Sequence, residues 1–256
     1  SRDTRITNTN VYYNGRQGLS NGTTGIIWDK GQIHNNGGRS PGYGIDLEDN
    51  RRNAKNIKLL NLELWDNDSG DIALIGTENV LIQGCNFKPS TRPNWGSSGA
   101  INASYTRDLL VSNCHFSDKS VNLNRAGMIT SCYFDEGTIN MSGAGVIASN
   151  IQMIQGKINV DGINTDEFNK QGLNSRVENI TIRMYKEFDW ILSDRNILGQ
   201  WKNINIYLND SSTVSNLVTG TTLNASLGFG QTLWSQLDYT AGQPYGGGYI
   251  DGLNLE

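Results

Sequence analysis

The sequence predicts an all-β fold, a parallel solenoid built from short repeated strands, and three observations point to it. The first is composition. Gly stands at 30 and Pro at 4 in 256 residues, and Asn is about as common as Gly. Both tolerate left-handed backbone, which sharp strand-to-strand corners need. Ile, Val and Thr are plentiful where the helix formers Ala, Glu and Lys are scarce, so summed helix propensity is poor almost everywhere. The second is a repeat of roughly 20 residues, and the third is a set of columns of like residues that appear when the repeats are aligned.

The repeat reads as a polar residue, two apolar residues at period two, a small residue or Asn, then a short apolar pair. Its clearest copies are NIKLLNLEL at 56–64, NVLIQGCNF at 79–87, DLLVSNCHF at 108–116 and GMITSCYF at 127–134, with weaker copies starting at Gly25, Gly145, Asn179 and Asn203. The first residue of the apolar pair falls at Leu62, Cys85, Cys114, Cys132 and Ile151, in steps of 23, 29, 18 and 19 residues. A second kind of strand precedes each copy: GIDLE at 44–48, DIALI at 71–75, AINAS at 100–104, SVNLN at 120–124, TINMS at 138–142 and KINVD at 157–161. Each coil therefore carries about three short strands. Leucine-rich repeats have a similar length, but their fixed Leu/Asn consensus is absent.

Equivalent positions of successive coils stack about 4.8 Å apart, so the columns are physical ladders. Cys85, Cys114 and Cys132 form one inward ladder, and Leu64, Phe87, Phe116 and Phe134 a second. Asn102, Asn122, Asn140 and Asn159 form an outward polar ladder. Asn61, Gly84, Asn113, Ser131 and Asn150 mark a tight corner that requires a left-handed residue. The three cysteines are then small buried side chains in a stack. Their odd number and spacing suit neither a disulfide framework nor a zinc knuckle.

Charge and hydropathy exclude several roles. With 21 Lys and Arg against 25 Asp and Glu the formal charge is −4, which is no nucleic-acid binder. No apolar run approaches the roughly 18 residues of a bilayer span, so neither membrane insertion nor a signal peptide is expected. Two histidines, His34 and His115, are too few for a histidine-rich metal centre.

Coil length points to where function lies. The corner from the last inward residue of one coil to the first of the next takes five residues at Phe116 to Val121, Phe134 to Ile139 and Met153 to Ile158. The same corner takes 12 residues from Ile33 to Ile45 and 14 from Phe87 to Ile101, and the following corner takes 12 from Ile45 to Ile57. Excess chain must leave the cylinder as loops, here 35–43, 48–53 and 88–96. Asp46, Glu48 and Asp49 cluster beside them, with Asp46 and Glu48 facing outward if Ile45 and Leu47 face the core. Paired carboxylates are what glycoside hydrolysis uses, so these three are the candidate catalytic residues. On stacked strands such acids can instead hold a hard cation, Ca²⁺, that neutralises a uronate. Arg39, Arg51 and Arg52, with Lys55 and Lys58, supply a local basic patch for an anionic polymer. Tyr43, Trp65 and Trp95 are candidate substrate contacts, the tryptophans as sugar platforms. Asp68 and Asp71, also candidate substrate contacts, form with Asp66 a second acidic cluster one coil away, and a cleft between the two clusters would suit acid and base roles. His115 reads as an exposed ladder member.

The stacked coils and Asn/Gly ladders resemble the right-handed parallel β-helix superfamily of pectate lyases, polygalacturonases, alginate epimerases and bacteriophage tail spikes. The resemblance covers roughly residues 6–209 and implies a single-stranded right-handed parallel β-helix of about eight to nine coils. The run GRQGLS at 15–20 leading to PGYGIDLED at 41–49 is most similar to phage tail spikes and pre-neck appendages. That resemblance implies a homotrimer on the virion surface, or otherwise extracellular, that binds and degrades a bacterial surface glycan or teichoic acid. YGIDLE at 43–48 also resembles the Tyr-Gly-Phe-Asp-Pro-His segment of alginate epimerases. It keeps the acid at Asp46 but carries Leu47 and Glu48 in place of Pro and His. Pectate lyases use an Arg base, a role open to Arg39, Arg51 or Arg52, and the Gly-His-Gly of polygalacturonases is absent.

The pattern lapses from Asp161 to Val177, where a loop or a short helix near 166–170 is expected. Residues 1–210 read as the β-helix and 211–256 as a capping or subunit-contact tail, since a solenoid must cover its open ends. Seven Asn-x-Ser/Thr sites, at Asn21, Asn67, Asn102, Asn140, Asn179, Asn209 and Asn224, read as solenoid composition. The sequence thus leads to a depolymerase, a glycoside hydrolase before a lyase. A non-catalytic glycan-binding or structural module and a uronan lyase or epimerase are the alternatives.

Overall fold

The computed structural model describes residues 4–48, 54–92, 99–143, 145–160, 175–185, 188–194, 200–208, 214–219 and 249–255. Among them are strands and no helix, so no helix is long and apolar enough to cross a membrane. The strands form two sheets, of 14 and 9 strands, and every pairing is parallel. This is an all-β architecture consistent with a β-solenoid. Asp49, Arg51, Arg52 and Trp95, the expected helix near 166–170 and most of the expected cap lie outside the described residues.

The register lines up what the repeat pattern aligned. In the smaller sheet Ile45 pairs with Ile72, Ile72 with Ile101, Val121 with Ile139 and Ile139 with Ile158. The larger sheet is bent, and on its second arm Leu64, Phe87, Phe116, Phe134 and Met153 follow one another. All of these are buried, together with Cys85, Cys114 and Cys132. The thiols are free and donate to backbone carbonyls, Cys114 to Ser112 O at 3.3 Å and Cys132 to Thr130 O at 3.2 Å. Rings stack because parallel rungs superimpose them, Phe87 on Phe116 at 4.6 Å and Phe116 on Phe134 at 4.5 Å.

Two corners repeat with the same backbone signature. Between the arms of the larger sheet, Asn61, Gly84, Asn113, Ser131 and Asn150 all have φ between 52° and 65°, as expected, and Asn179 and Asn203 continue the row. At Gly84 a Cβ would lie 2.6 Å from Asn61 Oδ1, which explains the glycine. At the corner leading into the smaller sheet, Tyr13, Asn35, Asp66, Asp118, Glu136 and Gln155 are left-handed. The residues that follow them are Asn14, Asn36, Asn67, Lys119, Gly137 and Gly156. Asn36, Asn67 and Lys119 are buried there.

The outward Asn ladder forms as read. Asn122 Nδ2 donates to Asn102 Oδ1 at 2.5 Å, Asn140 to Asn122 at 2.7 Å and Asn159 to Asn140 at 3.4 Å.

Phe116 has a ring on each face, so Phe116→Ala should lower stability by about 3–5 kcal/mol, measured as a shifted urea midpoint at unchanged slope. Cys114→Ala, which removes one sulfur from the neighbouring column, should cost clearly less. Equal losses would mean that the stack closes up around the missing ring and leaves no cavity.

Candidate functional site

The strand Tyr43–Glu48 places the carboxylates. Ile45 and Leu47 are fully buried, so alternation sends Asp46 and Glu48 to the opposite face, where Glu48 is exposed. Asp46 lies in the column of the Asn ladder, since it pairs with Ala73 and Ala73 with Asn102. It is nevertheless only 1% exposed. Gln17 Nε2, from the preceding segment, donates to Asp46 Oδ2. Burial, reinforced by the neighbouring Glu48, pushes the Asp46 pKa above its ordinary value, against the opposing pull of Gln17 and Arg16.

Tyr43 joins this face from the start of the strand. Its ring lies over Gly70, where a Cβ would come within 2.9 Å of a ring carbon. Its hydroxyl accepts from Asn102 Nδ2 at 3.2 Å. Each amide of the ladder thus donates to its predecessor and the first donates to Tyr43, an aligned chain of dipoles that leaves the Tyr43 O–H as a donor at its end.

The second acidic cluster is divided among structural tasks. Asp66 accepts from Ser90 Oγ and from Thr91 N, both at 2.8 Å, and from Thr91 Oγ1 at 2.5 Å. Burial opposes its charge, but these bonds and nearby Arg92 outweigh it and hold the pKa below the usual value. Asp68 seats the 37–42 loop. Its Oδ2 accepts from Gly38 N at 3.4 Å, and its Cβ lies against Gly37 and Gly42, neither of which has room for a side chain. Asp71 is fully buried beside Lys119, with Nζ to Oδ2 at 3.1 Å. Burial raises its pKa despite that ammonium and a hydrogen bond from Asn67.

Trp65 stands on the larger sheet, and both of its faces are used. His34 stacks on one at 4.2 Å and 8°, and Lys88 Nζ lies 4.7 Å from the ring centre. Tyr12 stacks in turn on His34 at 5.2 Å. Lys88 also pairs with Glu63 at 2.9 Å, and hydrogen bonds from Lys88 and Gln32 lower the Glu63 pKa against its partial burial. Face-on stacking of a sugar on Trp65 would therefore require this column to open. His115 is a ladder member as expected, edge-on to Tyr133 at 5.0 Å.

The strand therefore brings together Tyr43, Asp46 and Glu48. Arg39 is tied by its backbone N–H to Gly15 O at 3.1 Å, in the segment that carries Arg16 and Gln17. Lys55 pairs with Glu78 at 3.2 Å, which draws it from the basic patch. Arg16 and Gln17 are the partners that sequence reading missed. Their run, GRQGLS, was singled out as a motif, but no spacing rule ties position 17 to position 46. Among the described residues no group of three or more His, Cys, Asp or Glu side chains is placed to hold a metal ion.

The Asp46 shift carries a sign that can be tested. Its folded-state pKa is raised above 3.8, so its contribution to stability is fully present below that pH and is lost as the pH climbs through the folded value. Asp46→Asn should accordingly melt above the wild type at pH 7, with the gap closing as the pH falls below 3.8. A variant that melts lower at pH 7 would show that the ionised carboxylate is needed for the fold.

Compared with protein-family models and with curated proteins, the sequence matches none.

Proposed function

We propose that the chain is a single-stranded right-handed parallel β-helix of about eight to nine coils, closed by 211–256, that binds and depolymerises a bacterial cell-surface polymer. In this reading it is a domain of a phage tail spike or appendage, homotrimeric, on the virion surface or otherwise extracellular. Its substrate is a capsular polysaccharide or teichoic acid.

The observation that carries this is Asp46: a buried carboxyl with a raised pKa, two residues from exposed Glu48 on the same strand face. A shielded carboxyl whose pKa is pushed up suits the donor to a leaving oxygen, and an exposed carboxylate suits the base. The backbones of outward residues two apart on a parallel strand stand about 6.6 Å apart. That separation leaves room for a water between the carboxyls, as inverting hydrolysis needs. The amide ladder beside Asp46 offers a polar track for an extended chain. Gln17 covers the acid, so substrate must displace its amide. Tyr43 would donate its hydroxyl proton to the polymer, and Arg16, Arg39, Arg51 and Arg52 would bind its anionic groups. Asp49 and Trp95 belong to loops that would border the track. Ca²⁺, if bound, would sit between the carboxylates and a uronate.

That same cover over Asp46 favours a second reading, a non-catalytic glycan-binding module in which the ladder face recognises polymer and another domain cuts it.

Digestion of capsule, teichoic-acid and uronate polymers separates these readings when reducing ends, phosphate-ester release and the ultraviolet band of an unsaturated uronate are followed together. New reducing ends without the band are expected from a capsule substrate. Asp46→Asn should lower that turnover about 10²- to 10⁴-fold while binding persists. Ester release instead would identify teichoic acid, and the ultraviolet band, lost with a chelator, a metal-assisted lyase. Binding without turnover would establish the second reading, and unchanged turnover in Asp46→Asn would remove Asp46 from the chemistry.

A further inference from the structure

The corner row described above holds a buried pair whose chemistry the fold does not otherwise use. Lys119 and Asp71 have side chains 1% and 0% exposed, with Nζ 3.1 Å from Oδ2. Beyond that contact neither Lys119 Nζ nor Asp71 Oδ2 has a hydrogen-bond partner among the described residues. An ion pair taken out of water recovers its desolvation cost only when further hydrogen bonds satisfy the remaining protons. Here an ammonium with three donors faces a single oxygen.

The other carboxyl oxygen is held firmly. Asn67 Nδ2 donates to Asp71 Oδ1 at 2.8 Å and to Ile33 O at 3.1 Å. Asn67 Oδ1 in turn accepts from Asn36 N at 3.3 Å and Asn36 Nδ2 at 2.9 Å. Asn36 Oδ1 takes both the backbone N–H of Asn14, at 3.2 Å, and its Nδ2, at 2.8 Å. The carboxyl is thus fixed by a buried polar chain that runs through three successive corners, with an N–H aimed at one oxygen and an amine at the other.

We propose that Lys119 and Asp71 condense to an intramolecular isopeptide bond. The ammonium first passes a proton to the Asp71 carboxylate, which replaces two buried charges by a neutral amine and a neutral acid. The Nζ lone pair then attacks Cγ, and the charge that develops on Oδ1 is met by the Asn67 N–H. The Cγ–Oδ2 bond breaks, and Oδ2 leaves as water with the transferred proton and one more from nitrogen. Ammonium and carboxylate thereby become one secondary amide and one water, with no oxidation or reduction. Held contact substitutes for concentration, and effective molarities of well-oriented pairs reach about 10⁵–10⁸ M.

The location gives the bond a purpose. Asp71 lies in the strand Gly70–Ile75 and Lys119 immediately precedes Ser120–Leu123, with Gly99–Ser104 paired between them. That intermediate circuit is the one whose corner takes 14 residues from Phe87 to Ile101. A bond from 71 to 119 would staple the wall across it, as a disulfide would, without needing an oxidising compartment.

The deciding measurement is the intact mass of the purified wild-type protein, followed by high-resolution mapping of its tryptic peptides. The expected mass is one water below the sequence mass. Expected with it is a branched peptide joining residues 59–107 to 108–125, uncleaved after Lys119. Lys119→Met and Asp71→Ala should each restore the full mass and lower the melting temperature. A wild-type protein at full mass, cleaved normally after Lys119, overturns the proposal whether or not the variants fold. So does loss of ammonia instead of water, which would make Asn67 the acceptor.

Discussion

Everything in this molecule depends on parallel strands stacking rung on rung in register. That arrangement gives a side chain the same two column neighbours for as long as the column lasts. Like residues are then favoured beside like, because a shape that packs once packs again at the next rung. Phe87, Phe116 and Phe134 gain ring-on-ring contact this way, and Asn102, Asn122, Asn140 and Asn159 gain an amide chain in which every donor meets the acceptor below it. The same constraint sets the corners. A turn repeated at one height of every coil must repeat its backbone, so the left-handed positions recur, mostly as Asn or Gly at the corner between the arms of the larger sheet, where that conformation costs least.

A column can also be interrupted, and the interruptions hold the polar chemistry. Among the described residues, the corner row that buries Asn36 and Asn67 is next occupied by Lys119. Lys119 reaches back past the intermediate strand Gly99–Ser104 to Asp71. Gly137 and Gly156 close the row on the other side, where a Cβ would meet Lys119 O at 2.6 Å or the Met153 side chain at 2.5 Å. The row is therefore bulky and polar on one side of the swollen coil and empty on the other.

Much of this was legible in the sequence because it is periodic. Inward rows alternate at period two and recur about every 20 residues, so Ile45, Ile72, Ile101 and the Cys and Phe columns could be assigned without coordinates, as could the left-handed Asn61 and Asn113. The outward placement of Asp46 and Glu48 followed from the same alternation. What the pattern could not convey was aperiodic contact. Gln17 meets Asp46 across 29 residues, and Lys119 meets Asp71 across two circuits. A tryptophan beside a swollen coil suggests a platform, but periodicity says nothing about which ring faces are taken. His34 and Lys88 take those of Trp65.

The break at Asp46 differs in kind from the one at Lys119. An amide column is chemically quiet because each Asn both donates and accepts, so its needs are met from within. A carboxylate in the same column can only accept. Ala73, one rung on, offers it no side-chain donor, so a donor must come from outside the column, and Gln17 supplies it while Arg16 contributes its charge. Replacing an amide by an acid therefore ends the self-sufficiency of the ladder at one height, and it does so where the 37–42 loop rises beside the strand. Hydrogen-bonding capacity unmet by the repeat is what a ligand can satisfy. On the proposed function, that is what would distinguish Asp46 from the carboxylates of the 66–71 cluster, which the fold already employs.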